Sequence, residues 1–198
     1  MNKNKIKIRH LQSFDLADVH EIFKGQSIID GTMSLPFEPL EYTKRRLELS
    51  DDTIKLVAVV QDDHGKETVV GFSKMVTYPN SPRHRHVGEI DFMLIHEAWQ
   101  GKGIGRQLMN ALIDLAEKWL QITRLTLFVW TDNDAIHLYH KLGFEIEGTL
   151  PEFAFRDGRY IDAHIMGRLV SKRANRFEAM VTQDQLTNGH VKVAQPSF

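Results

Sequence analysis

Glu89-Ile90-Asp91-Phe92-Met93-Leu94-Ile95, and soon after it Gln100-Gly101-Lys102-Gly103-Ile104-Gly105, is the stretch from which the fold is read. The first segment is mostly apolar and has the length of a strand. The second is a glycine-rich turn. Beyond it Ile104, Leu108, Ala111, Leu112, Leu115, Ala116 and Trp119 recur three and four apart, which predicts a long amphipathic helix with these residues on one face. Glycines let a backbone approach a ligand closely, and the first N–H groups of a helix lack partners within it. Strand, glycine turn and helix start together form an anion cradle, suited to a phosphate or pyrophosphate.

Two familiar phosphate motifs do not fit. A P-loop needs Ser or Thr after its lysine, and Gly103 follows Lys102. A dinucleotide fingerprint needs a small residue where Arg106 stands. Gln100 to Gly105 reads Gln-x-x-Gly-x-Gly after a strand ending in Met93-Leu94-Ile95, and this resembles motif A of the GNAT superfamily of acyl-CoA-dependent N-acetyltransferases. The resemblance implies that loop amides from Gln100, Gly101, Lys102, Gly103, Ile104 and Gly105 hold the coenzyme A pyrophosphate, beside the strand end Met93, Leu94 and Ile95.

A second block agrees. Arg124 to Trp130 is rich in β-branched and aromatic residues and reads as a strand. Asp132 or Asn133 is placed to cap a short helix carrying Ile136, Leu138, Tyr139 and Leu142, which Gly143 ends. Asn133 to Phe144 resembles the family's motif B in order and spacing. The resemblance implies that Asn133 contacts the coenzyme and that Tyr139 lies near its sulfur.

Composition sets limits. With 198 residues the chain suits one main domain with a sizeable core. A net charge of −1 gives no broad footprint for nucleic acid. No apolar run reaches membrane-spanning length, and Met1-Asn2-Lys3-Asn4-Lys5 lacks a secretory apolar core. The reading is a cytoplasmic protein without nucleic-acid or membrane partners. With no cysteine, a cysteinyl acyl-enzyme is excluded, so acyl transfer is direct or uses another nucleophile.

Outward from the centre, Ile6 to Arg9 alternates as an opening strand, and Ser13 or Asp15 caps a first helix to about Lys24, with Leu16, Val19, His20 and Phe23 on one side. The segment 26–37 reads as a loop, with Gly31 and Pro36, yet it carries Ile28, Ile29, Met33, Leu35 and Phe37. Such a loop lies against a substrate or the partner subunit of a homodimer, or plugs its own core. Pro39 opens a second helix to about Leu49. Ile54 to Gln61 and Thr68 to Tyr78 read as antiparallel strands, and Phe153 to Phe155 and Tyr160 to Leu169 flank a hairpin turn at Asp157-Gly158. The expected fold is α/β (α+β): a mixed, strongly twisted central sheet of about seven strands with helices on both faces, as in GNAT enzymes. Residues 1–170 form this domain, and residues 171–198 a polar C-terminal extension of unknown role.

Leu35-Pro36-Phe37, Gly143 to Thr149 and Arg156 to Met166 resemble the bacterial branch that acetylates free L-amino acids and related amines, including phosphinothricin-type acetyltransferases. The function implied is transfer of acetyl from acetyl-CoA to a primary amine of a small molecule, without a metal. A protein N-terminus or lysine as acceptor, and a non-catalytic acyl-CoA-binding module, are the competing readings.

The chemistry needs a neutral amine, a polarised carbonyl and a protonated leaving thiolate. Glu89 and Asp91, two apart on a strand, share a face, and either is a candidate base, with a solvent-facing pair as the alternative. Tyr139 is the candidate donor to sulfur, with core packing as its alternative. The N–H groups around Leu94 and Ile95 are placed to polarise the carbonyl. Met33, Leu35, Phe37, Phe153 and Phe155 are expected to give the amine an apolar surround with few charges, and Arg83, Arg85 or Arg156 to meet a substrate carboxylate. His137 and His140 have metal-ligand spacing but no evident third ligand, so no metal is assigned.

Overall fold

The computed structural model describes residues 6–170; the expected extension at 171–198 lies outside them. Seven strands, β1 (Ile6–His10), β2 (Thr53–Gln61), β3 (Glu67–Thr77), β4 (Val87–Ile95), β5 (Arg124–Trp130), β6 (Glu145–Arg156) and β7 (Arg159–Leu169), form one sheet in the order β1-β2-β3-β4-β5-β7-β6. β1 to β4 pair antiparallel in succession, and β4 and β5 pair parallel. The helices are α1 (Leu16–Phe23), α2 (Gln26–Gly31), α3 (Leu40–Leu47), α4 (Ile104–Lys118) and α5 (Ala135–Lys141).

Both sheet faces are covered, and β2 shows why its sequence is a near-continuous apolar run. Leu56, Ala58 and Val60 enter a core under α4 and α5, while Val57 and Val59 enter a second core under α1 and α2. A strand buried on both sides has no polar alternation to keep. The first core packs Leu108, Met109, Leu112 and Ala116 of α4 on the sheet. The second joins Val19, Ile22 and Phe23 of α1 to Phe72 and Leu94. Each of these side chains larger than alanine contributes roughly 1.5–3 kcal/mol when taken out of water.

The α4 face differs from expectation at its end. Trp119 follows the last helical residue and is largely exposed, while Met109 and Ile113 are buried in its stead. The drift follows from 3.6 residues per turn, which rotates a fixed stripe out of the core over four turns. The segment 26–37 is not wholly a loop, because Gln26 to Gly31 forms α2 and buries Ile28. A six-residue helix ending in glycine is too short to leave a period in the sequence. At α1, Asp15 is the N-cap residue, but Arg9 takes its carboxylate at 2.7 and 2.9 Å and the Gln12 N–H takes it at 2.8 Å.

One irregularity positions the site. In the β3–β4 ladder Met75 faces Ile90 and Lys74 faces Phe92, which leaves Asp91 as an extra residue in β4. Such a bulge bends its strand and increases the local twist. The parallel pairing of β4 with β5 runs only from Val87–Arg124 to Ile90–Leu127 and stops where the bulge begins.

Close packing over this region makes a specific demand. A Cβ on Gly71 of β3 would lie 2.9 Å from Ile95 Cδ1 and 3.0 Å from Leu108 Cδ1. Gly71→Val is therefore expected to push α4 off the sheet and to cost about 1–3 kcal/mol. Urea unfolding of variant and parent measures it, and an unchanged midpoint would show that α4 is not seated as described.

Candidate active site

The chain between β4 and α4 makes a short 3-10 turn, Glu97–Trp99, and then the glycine loop. Gly101 and Gly103 have φ of 72° and 79°, the left-handed region that side chains avoid, and Gly103 caps α4 in that conformation. A Cβ on either would meet nothing within 4 Å, so the space beside the loop is open to a ligand's phosphates. Gly105 differs: it is helical, and a Cβ there would touch Leu138 of α5 at 3.4 Å. Its smallness also serves helix packing.

The loop opens into a cleft of about 1440 Å³ between the parted ends of β4 and β5. Met93, Leu94, Ile95, Gln100, Gly101, Gly103, Ile104, Gly105 and Asn133 all line it. Lys102 does not: its Nζ donates to the Ala98 carbonyl at 2.9 Å and sits 4.4 Å from the Trp99 ring centre. That is where a long side chain settles beside an indole and the unpaired carbonyl of a turn. Gln100 donates to the Ile95 carbonyl at 3.1 Å and to Ser27 Oγ at 3.0 Å, so its side chain ties the loop to α2. Asn133 Oδ1 accepts the Ala135 N–H at 2.8 Å, so this residue makes the capping bond one position before the N-cap residue Asp134.

The strand end also has a direction. The His96 N–H donates to Val70 of β3. With the two-residue strand period the Leu94 N–H points the same way, and the N–H groups of Met93 and Ile95 point away from β3, into the gap. Of the two expected polarising amides, that of Ile95 is turned toward the cleft and that of Leu94 is not.

The three candidate catalytic side chains all line this cleft. Glu89 accepts a hydrogen bond from the Tyr78 hydroxyl at 3.1 Å. Asp91 is ion-paired with Lys74 at 2.8 Å. Tyr139 is buried, and burial pushes its phenol from 10.0 up to about 12. The hydroxyl therefore stays protonated at any physiological pH. Among the described residues no group of three His, Asp or Glu side chains is placed to hold a metal ion.

The amine end departs from expectation. Met33 and Phe153 line the cleft, and Phe153 stacks on Phe128 at 5.5 Å with the rings 6° apart. Leu35, Phe37 and Phe155 are outside it, with relative exposures of 69%, 101% and 65%. Phe37 has a positive φ of 62°, and Phe155 packs edge-on against Tyr160 instead. Period two along β6 would put Phe153 and Phe155 on one face, but the ladder to β7 slips between Leu150 and Ala154. The wall is also more charged than expected. Asp30, Asp132, Asp157, Arg156 and Arg159 line it, and these aspartates sit in loops and helix ends that no strand pattern marks. Arg156 donates to the Asp30 carbonyl at 2.7 Å and to Asp132 at 2.5 Å. Arg83 and Arg85 are not in the lining. Sequence reasoning missed Tyr78, Trp130 and Arg159, and only the register of β3 on β4 reveals the first of them.

A glycine cradle at a helix start, a gap between parallel strands and a protonated tyrosine beside it are parts that an acyl-coenzyme A-dependent transferase can use. The model of the acetyltransferase (GNAT) family matches residues 16–144, and the chain belongs to that family. It is 31% identical over 167 residues to the L-amino acid N-acetyltransferase AaaT of Escherichia coli, across 84% of this chain and 99% of that protein. It is 28% identical to a spermidine N(1)-acetyltransferase of Vibrio cholerae, across 88% of this chain and 99% of that protein. Among solved structures, spermidine N-acetyltransferase from Vibrio cholerae in complex with CoA and spermine superimposes with a TM-score of 0.71 at 27% identity, across 84% of this chain and 96% of that one. The protein is thus an acetyl-CoA-dependent N-acetyltransferase.

The buried phenol makes stability depend on alkaline pH. Unfolded, Tyr139 ionises near 10, and folded near 12. The raised folded value means that stability is intact below about 10 and declines as pH rises toward about 12. Tyr139→Phe is expected to flatten that decline. Thermal midpoints for parent and variant across this range measure it, and parallel curves would contradict the burial.

Proposed function

We propose that the enzyme transfers acetyl directly from acetyl-CoA to the α-amine of a free L-amino acid or close analogue. One observation carries the reading: a single cleft is lined by a carboxylate that has no cationic partner among the described residues, Glu89, and by two guanidinium groups, Arg156 and Arg159, that are ion-paired with the same one carboxylate, Asp132. These two signs match the ammonium and carboxylate of a zwitterion. Met33, Phe153 and Trp130 add apolar surface for a side chain. The likeness to an L-amino acid N-acetyltransferase over nearly the whole of that protein supports the same reading.

In the mechanism the amine gives its proton to Glu89, directly or through water, and its lone pair forms the new N–C bond. The Ile95 N–H polarises the thioester carbonyl, as in an oxyanion hole. The C–S bond breaks, and Tyr139 donates its proton to the departing sulfur. Asp91 is the weaker base candidate, since Lys74 already neutralises it. Gly101, Gly103 and the first amides of α4 would hold the pyrophosphate, and Asn133 lines the same cleft, with its Nδ2 beside Gly31 of α2.

Two outcomes are expected. Among methionine, phenylalanine, spermidine and kanamycin, the amino acids should show the higher kcat/KM; a lead for spermidine or kanamycin would overturn the substrate class. Tyr139→Phe should lower kcat by about 10² to 10⁴ with little change in coenzyme affinity. Turnover at the parent level would make Tyr139 a packing residue only.

A further inference from the structure

Tyr78 stands just beyond the end of β3, where Thr77 pairs with Gly88 and Val76 with Glu89. Its hydroxyl donates to Glu89 Oε2 at 3.1 Å. Among the described residues Glu89 lines the cleft and Tyr78 does not. The phenol therefore reaches the carboxylate from outside the space a substrate occupies. Its ring is itself held: His84 packs edge-on against it at 4.6 Å and 69°. His84 sits in a tight turn, since its N–H donates to the Ser81 carbonyl at 2.9 Å and its carbonyl accepts the Val87 N–H at 2.9 Å. Burial first, and then the neighbouring Glu89 charge, raise the Tyr78 phenol above its ordinary range, so it remains a donor.

We propose that Tyr78 is a positioning residue for the reaction, fixing the Glu89 carboxylate in one rotamer with Oε2 occupied and Oε1 free for the amine proton. A glutamate on an open strand face has several rotamers within reach. Proton transfer needs one of them, within hydrogen-bond distance of the amine or its water. Asp91 shows the alternative fate, because its oxygen is drawn to Lys74. Tyr78 blocks that for Glu89 by occupying one oxygen from the far side. The inference rests on Glu89 being the base.

A double-mutant cycle tests it on the full chain, with saturating acetyl-CoA and the fastest amine of the panel. Tyr78→Phe keeps the ring and its packing on His84 but removes the donor. It should lower kcat about 10- to 100-fold, leave the KM for acetyl-CoA unchanged and leave the thermal midpoint within the parent's range. In a Glu89→Gln background the same change should have no further effect on kcat. An equal loss in that background would mean that Tyr78 acts independently of Glu89, and full activity of Tyr78→Phe beside a crippled Glu89→Gln would mean that the base needs no positioning. Either overturns the role while sparing the base. Parent-level activity of Glu89→Gln would instead sink the base assignment, and the positioning role with it.

Discussion

The pairing of β4 with β5 ends at Ile90 and Leu127, and the extra residue Asp91 lies immediately beyond. Parallel strands stay together as long as both present unbroken ladders, and a bulge in one of them turns it away. β4 thereby acquires two different edges. One continues to bond β3, as far as the His96 N–H on Val70. The other, with the Met93 and Ile95 amides, faces a gap instead of a strand. An exposed strand edge is a set of unpaired donors and acceptors. Here it is shielded within a cleft, where a ligand's amides and carbonyl can take the place of the missing neighbour.

Everything around the gap is anchored to other elements. α2 has only six residues and would not persist alone. It is fixed at its start by Glu97, which accepts the Ser27 N–H at 2.9 Å, and by Gln100 on Ser27 Oγ. It is fixed at its end by Arg156 on the Asp30 carbonyl, from a hairpin 126 residues further on. The same Arg156 holds Asp132 in the loop that leads to α5. The coenzyme loop, α2, the hairpin and the α5 entrance are thus linked by hydrogen bonds that run around the cleft rather than across it. The part-buried Arg156 bond to the Asp30 carbonyl, a charged donor on a neutral acceptor, is of the stronger kind, about 1.5–3 kcal/mol.

Local signals made the centre of the molecule legible. Gln100 to Gly105 and the apolar stripe of α4 carry their meaning within a few residues, because the left-handed φ of Gly101 and Gly103 and the helix period are local properties. The existence of the strands was likewise readable, from alternation at β1 and from short apolar runs between turn residues at β2 and β4, but β6 was legible only at Phe153 to Phe155 although it begins at Glu145. The amine end was not. Whether Phe153 or Phe155 reaches the cleft depends on a slip in the β6–β7 ladder, and whether Tyr78 reaches Glu89 depends on the register of β3 on β4. Register is a property of two strands, and neither sequence alone contains it. Leu35 and Phe37 read as candidate pocket residues for the same reason: an apolar side chain does not record which way its loop turns.

The two proton sites of the proposed mechanism sit in opposite environments, and the difference suits their tasks. Glu89 lies on a partly exposed strand face, within reach of water that can carry a proton away. Tyr139 is buried, and burial moves its phenol to about 12, well above the thiol range near 8.5. Taken alone, that gap would make Tyr139 a poor donor to a thiolate. Yet the cause is desolvation, which acts on any anion formed in the same place. A sulfur losing its acyl group beside Tyr139 becomes an anion in equally poor solvent, and its own affinity for a proton rises with that of the phenol. Burial therefore preserves the match between donor and leaving group while it suppresses the tyrosinate. In water the same pair would be better solvated, and the thiolate would need the tyrosine less.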